Sequence, residues 1–423
     1  MLPGLRPEQG PPFAVPLAFF LAAPPLLALA GLIMALAPET WTASRWHPVS
    51  LALAHLVGLG FLGLVMLGAL TQMLPVAAGA RLPHTARLGW ASVVLVSLGA
   101  PALAYGMTTG DAWLLGAPLA ALGLGVTALA GLWGLSRAPR GATRTAMALA
   151  LAALLAVAVL GLGLSGWLTG LWQPASPPTW IDLHVGLALA GWVGLLVIGS
   201  AYAVVPMLQI TPNYPAWLTR ALAPGLAGLL TVWAGARALG WSSLADLAGT
   251  GAILALLGFA TVTLDLQRRR KRKRKDATLR LWRLGMASLL AAGLLSLTGP
   301  RLMPAQAETW NLSVGVLFLL GFASSVVHGM LLKIAPFLAW FHLQAQAAPG
   351  RCEAGGMKGF IPDRQGDRLF WLHAGAVALL VVAPAWPVLS VPGGLLLILG
   401  ALWLEYWLWQ TRRRFLALGG RPR

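Results

Sequence analysis

The 423-residue chain has almost no cysteine and little negative charge. A single cysteine, Cys352, excludes an internal disulfide and any cysteine-based cluster, so a bound metal would rest on His, Met or carboxylate ligands. Charged residues make up only 10% of the chain, where a soluble domain carries about 25%. That shortage excludes an ordinary soluble enzyme. The catalytic signatures of soluble chemistry are missing too: there is no phosphate loop, no HExxH sequence and no nucleophile elbow. What fills the chain is apolar. Hydrophobic residues reach 58%, in recurring stretches of the ~20 residues that one membrane-crossing helix needs. The net charge of +18 therefore does not signal a nucleic-acid partner.

Turn residues and charges divide the chain into twelve candidate spans, near 13–37, 49–76, 88–107, 112–135, 145–170, 180–208, 217–240, 244–264, 279–299, 309–340, 369–389 and 391–409. Leu, Ala and Gly fill these runs without the period-2 alternation of a membrane barrel, which predicts an all-α polytopic membrane protein formed as a single transmembrane domain. The first span is too long, and lacks the cleavage site, for a removable signal peptide. Two polar segments interrupt the spans, a basic loop over 265–283 and a second loop over 344–368. If the N-terminus is cytoplasmic, 27 of the 30 basic residues fall on the cytoplasmic side, leaving only Arg45, Arg237 and Arg301 opposite. This is the positive-inside pattern, and it predicts both termini and both loops in the cytoplasm. Eight consecutive basic residues, Arg268–Lys275, predict contact with anionic lipid headgroups.

An internal pattern recurs in spans 2, 6 and 10. Span 2 carries Gly60, Gly63, Gly68 and Pro75; span 6 carries Gly191, Gly194, Gly199 and Pro206; span 10 carries Gly321, Ser324, Gly329 and Pro336. The prolines lie 131 and 130 residues apart (206 − 75 and 336 − 206), a period of four helices. Small residues at this spacing let helix backbones approach closely in lipid. The expected architecture is three pseudo-repeated four-helix units about an axis along the membrane normal.

Ionisable side chains inside a span are costly and mark candidate sites. Four histidines qualify: His55 early in span 2, His184 early in span 6, His328 within span 10 and His373 early in span 11. Counted back from the repeat prolines, His55 and His184 lie at −20 and −22 and share a depth, whereas His328 lies at −8. Neutral imidazole is the commonest biological metal ligand, so an outer site (His55, His184) and an inner one (His328, His373) are both permitted. The two-residue difference in helical phase argues against the outer pair facing alike. Asp182 is placed to orient the His184 ring, or else is a solvated loop acid. Lys333 and Glu405 are candidate proton-relay groups that can equally snorkel to the interface.

Twelve spans in three four-helix units, with histidines on spans 2, 6 and 10, resemble subunit I of the haem-copper oxidases. His55 matches the haem ligand of span 2 by position, His328 is the intramembrane candidate in span 10, and His184 occupies the helix that supplies a copper ligand in that family. The chain departs from the pattern. Span 10 has one His where the family has two, span 7 lacks paired histidines, and Tyr202 lies 18 residues from His184 rather than in a His–Tyr cross-link. The resemblance is thus to a degenerate member, similar to NnrS-type haem- and copper-binding membrane proteins. It implies a bacterial inner-membrane protein that binds b-type haem through His55, His328 and His184 and copper through His184 and His373. The implied role is electron transfer, nitric oxide response or respiratory support without an oxygen-reducing binuclear centre, alongside a respiratory subunit or redox partner. Any enzymatic activity would be a respiratory oxidoreduction. Twelve spans with internal repeats also suit a small-solute permease, or an assembly subunit of a respiratory complex.

Overall fold

The computed structural model describes residues 11–110, 113–271, 276–346, 356 and 359–421; Cys352 and the end of the basic run, 272–275, lie outside them. Among the described residues the chain is helical, with no strand. Twelve long helices occupy the twelve candidate spans: α1 Ala14–Leu36, α2 Pro48–Ala78, α3 Thr85–Thr109, α4 Trp113–Ser136, α5 Ala142–Leu168, α6 Pro177–Gln209, α7 Ala216–Ala238, α8 Ser242–Arg268, α9 Ala277–Leu302, α10 Pro304–Gln346, α11 Asp363–Val382 and α12 Pro387–Ala417. Ten of them are long and apolar enough to cross a membrane; α7 and α11 are not in that set. The sequence of α11 shows why, since it opens on the polar stretch Asp363–Arg368.

Both loops are shorter than the 265–283 and 344–368 segments expected. Helix α8 continues to Arg268, and α9 begins at Ala277 with the Asp276 carboxylate accepting from the Leu279 N–H. Helix α10 continues to Gln346 and α11 starts at Asp363. Apolar runs end where the hydrocarbon ends, but a helix continues as long as its backbone hydrogen bonds do.

Packing follows a simple rule. Neighbouring contacts run α1–α3–α4–α5–α7–α8–α9–α11–α12 and return from α12 to α1, closing a ring. Helices α2, α6 and α10 stand inside it. Their apolar stretches are 67%, 67% and 72% buried, against 50% or less for the other membrane-length helices. Each run of four helices thus sends its second helix to the centre.

The small residues show how. A Cβ on Gly60 or Gly68 would meet Leu26 or Phe19 of α1; on Gly191 or Gly199, Ala153 or Ala146 of α5; on Gly321 or Gly329, Ser288 or Trp282 of α9. The first and third small positions are therefore seams between each central helix and the helix at minus one, where only a bare backbone fits.

The middle position does something else. In all three central helices an eight-residue π-helical segment occurs, Leu56–Gly63, Leu187–Gly194 and Leu317–Ser324, offset by the same 131 and 130 residues as the prolines. π-Helix is rare and concentrates at functional sites. The middle small residue closes each segment. A Cβ on Gly63 or Gly194 would sit 3.4 Å from the carbonyl oxygen five residues back, on Gly58 or Leu189. At the third copy Ser324 occupies this position and donates its hydroxyl to the Leu319 carbonyl at 2.8 Å.

Where α6, α8 and α9 approach the end bearing the basic loop, buried polar groups cluster. Gln267 Nε2 donates to Gln209 Oε1 at 3.0 Å, the Tyr214 and Thr263 hydroxyls lie 2.9 Å apart, and Arg283 donates to the Gln267 carbonyl. Burial raises the Tyr214 phenol pKa above its usual value in the α6–α7 connection. Removing one amide strands the other in an apolar setting, whereas removing both leaves no orphan. We expect Gln209→Leu or Gln267→Leu alone to cost about 1–3 kcal/mol, and the double change distinctly less than the sum. Unfolding midpoints of the four proteins in detergent check this.

Candidate metal centre

The histidines converge in two pairs. His55 is the last α-helical residue before the π segment of α2, and His184 lies three residues before that of α6. Their rings are 6.2 Å apart, centroid to centroid, with planes inclined by 22°. The two-residue offset, about 200° of helical rotation, does not keep the rings apart.

Hydrogen bonds fix how the rings are presented. His55 Nδ1 is 2.8 Å from the Leu51 carbonyl, one turn back on its own helix, and His184 Nδ1 is 3.1 Å from the Val157 carbonyl of α5. A carbonyl only accepts, so each Nδ1 carries the proton and each Nε2 keeps its lone pair. Such second-atom anchoring is the usual support of a metal-binding imidazole. Gly161 of α5 backs the site; a Cβ there would lie 3.1 Å from His184 Cε1.

The spacing has chemical meaning. With metal–nitrogen bonds of about 2.0–2.1 Å and a ring radius of about 1.15 Å, two imidazoles trans on one ion have centroids about 6.3 Å apart. The His55–His184 rings, near-parallel at 6.2 Å between centroids, are close to that separation.

The outer ends of the central helices are less covered than their middles: Pro177–Gly186, the first part of α6, contains no fully buried residue, and Ala307–Val316 of α10 buries only Leu312 and Val316. The two imidazoles stand there, just before the buried π segments. These ends are tied by ion pairs, Asp182 with Arg237 and Glu308 with Arg45, the Glu308 carboxylate also accepting from the Ser44 hydroxyl and the Arg45 N–H. Asp182 is thus engaged by Arg237 and does not orient His184, whose anchor is a backbone carbonyl.

The second pair is different. His328 and His373 are each 1% exposed, with ring centroids 4.5 Å apart and the Phe61 ring tilted against His328 at 5.1 Å. His328 Nδ1 lies 2.6 Å from the Ser324 carbonyl; His373 Nε2 lies 3.2 Å from the Leu320 carbonyl and 2.9 Å from the Ser325 hydroxyl. The π segment of α10 supplies these carbonyls and places the hydroxyl beside them. At 4.5 Å two rings sharing an ion would subtend about 90° rather than lie trans. His55 thus lies beside His184, and His328 beside His373.

Neither proton-relay candidate reaches an imidazole. Lys333 Nζ is 3.4 Å from Asp276 at the start of α9, and Glu405 on α12 has Oε2 buried without a hydrogen-bond partner. Among the described residues no three His, Cys, Asp or Glu side chains group as a metal site, so the protein offers two ligands at a time. Ser325, Phe61 and the π-segment carbonyls are the participants that motif reasoning missed; Ser324 breaking the glycine pattern is the one signal for them in the sequence. Comparison with protein-family models and with curated proteins returns no match.

Proposed function

We propose that this is a membrane protein in which His55 and His184, from α2 and α6, would hold one metal centre through their Nε2 atoms. The observation that carries the reading is their 6.2 Å centroid spacing, combined with both Nδ1 atoms tied to backbone carbonyls. A b-type haem is the group we favour, since two imidazoles presented from separate helices would hold its iron. Bound there, haem would supply one-electron transfer or diatomic gas binding, its potential tuned by the ligands and burial. Copper would be held by the same two nitrogens.

The chain's own contribution is positional. Leu51 and Val157 carbonyls set the tautomers, the π segments adjoin the site, and the two ion pairs hold the outer ends of α6 and α10. In this reading the protein is a degenerate relative of haem-copper oxidase subunit I, similar to NnrS-type proteins. It lies in a bacterial inner membrane with the basic loop Arg268–Lys275 on anionic headgroups and the termini cytoplasmic. It serves electron transfer or a nitric oxide response with a respiratory partner.

The test is the absorption spectrum of protein purified after expression with ample haem, oxidised and reduced, together with its metal content. A Soret band and a haem stoichiometry near one per chain are expected. Copper at one per chain without a Soret band would replace haem by copper at the same ligands. Protein free of both, yet conducting solute in proteoliposomes, would establish a permease instead.

A further inference from the structure

At the end of the bundle that carries the basic loop, two other connections bring arginines together. Arg81 and Arg87 lie between the end of α2 and the first turn of α3, and Arg137, Arg140 and Arg144 lie around the turn from α4 to α5. The two connections touch. A Cβ on Gly134, in the last turn of α4, would lie 2.7 Å from the Arg81 carbonyl oxygen, and one on Gly79 would lie 3.3 Å from Pro139 Cδ. Arg144 donates its Nε–H to the Leu135 carbonyl at 2.7 Å, and the Arg137 guanidinium lies 3.8 Å over the Trp133 ring. Five positive charges thus gather around one helix end.

No carboxylate offsets them. Between Glu39 and Asp182 the sequence holds a single acid, Asp111, which follows α3 rather than α2 or α4. Among the described residues none of the five arginines forms an ion pair, whereas elsewhere at this end Arg269 pairs with Asp265, Arg280 with Asp367 and Lys333 with Asp276. Like charges held together without a counter-charge favour an anionic partner that settles among them.

The surroundings fix where that partner comes from. Trp90, about one turn past Arg87, and Trp133, about one turn before Arg137, are both exposed on helices of the outer ring. Tryptophan at the end of a span marks the level of the lipid headgroups, and an arginine stacked on Trp133 shares that level. From each tryptophan an exposed apolar row continues along the helix, Val94 and Leu98 on α3, Leu129 and Leu122 on α4, as acyl chains require. The anion is therefore the head of a lipid and not a soluble phosphate.

We infer that this corner binds a phospholipid carrying two phosphates on one headgroup, with one phosphate taken by the arginines of each connection. The guanidinium fork matches a pair of phosphate oxygens. A lipid with one phosphate engages one connection and leaves the charges of the other unmatched. The site is separate from Arg268–Lys275 and does not depend on the metal centre.

The test is native mass spectrometry of the full chain in detergent, titrated in turn with tetraoleoyl cardiolipin, dioleoyl phosphatidylglycerol and dioleoyl phosphatidylcholine. The two-phosphate lipid is expected to bind at least several-fold more tightly than phosphatidylglycerol, with phosphatidylcholine weakest. An arginine near a headgroup surface is worth about fivefold in affinity, so Arg81→Gln/Arg137→Gln protein should bind the two-phosphate lipid roughly 25-fold more weakly and lose the preference. Both side chains are exposed, so the fold should be unaffected. Arg268→Gln/Lys271→Gln, which removes the same charge from the basic loop, should change the affinity by about twofold or less. Equal affinity for the one- and two-phosphate lipids, or equal loss in the two double variants, overturns the inference. So does displacement of the lipid by millimolar pyrophosphate, which would assign the arginines to a soluble anion.

Discussion

Replacing Gly68 by alanine is expected to destabilise the protein by about 1–3 kcal/mol or more, whereas replacing Gly63 by serine should change stability by about 0.5 kcal/mol or less. Five residues separate the two glycines on one helix, and both belong to the recurring pattern. They differ in what a side chain would meet. A Cβ on Gly68 would lie 2.5 Å from the Cβ of Phe19, an atom fixed to the α1 backbone that no rotamer change can remove. Relief requires α1 and α2 to move apart, and α1 also closes the ring against α12. A Cβ on Gly63 would meet the Gly58 carbonyl at 3.4 Å and Leu59 Cδ1 at 3.8 Å, both ordinary contacts within its own helix. The third copy shows the outcome there, because Ser324 holds the equivalent place and uses its hydroxyl on the Leu319 carbonyl. Gly321→Ala should resemble Gly68→Ala, since Ser288 Cβ would be 2.7 Å away, and Gly194→Ser should resemble Gly63→Ser. Denaturation midpoints in detergent rank the four variants. A Gly63→Ser protein less stable than Gly68→Ala would contradict the division of the pattern into seam and π-turn positions.

The second large effect concerns the histidines. His55→Ala and His184→Ala should each lower bound haem or copper by at least tenfold, because either change removes half of a two-ligand site and leaves no third side chain to substitute. His328→Ala and His373→Ala should leave that content nearly unchanged. Their pair sits at 4.5 Å and each ring is anchored on the π segment of α10, so their loss is expected to appear as reduced stability instead. Removing either partner leaves a buried carbonyl without its donor, at a cost of about 1–3 kcal/mol. Metal analysis beside unfolding midpoints for the four variants separates the two roles. Equal loss of metal from all four proteins would mean that the pairs act as one site.

Much of this was legible in the residues. The all-helical class, the twelve helical positions and the recurring proline helices follow from apolar runs and from Gly and Pro spacing, which respond to local forces. Equal depth of His55 and His184 was legible for the same reason, as a count of residues along two parallel helices. Their convergence was not. It depends on which way each ring turns about its helix, and that phase is set relative to neighbours the sequence does not display. The π segments were also hidden. Their offsets were already present in the glycine pattern, but a widened turn leaves no distinctive residue type, and only Ser324 replacing glycine hints at the freed carbonyl. The sequence leaves Asp182 either as an orienting group for His184 or as a solvated loop acid, and on a helix a two-residue separation places the two side chains on different faces. Arg237 on α7 claims it. Lys333 followed the same logic in reverse, its ammonium drawn to Asp276 at the start of α9.

The most direct test of the account is electron paramagnetic resonance of the oxidised, metal-loaded protein beside its His55→Ala and His184→Ala forms. A ferric haem signal, or a copper(II) signal with nitrogen couplings, is expected in the unaltered protein and should be lost in both variants. A spectrum that survives either substitution, or one requiring His328, would contradict a metal held between α2 and α6.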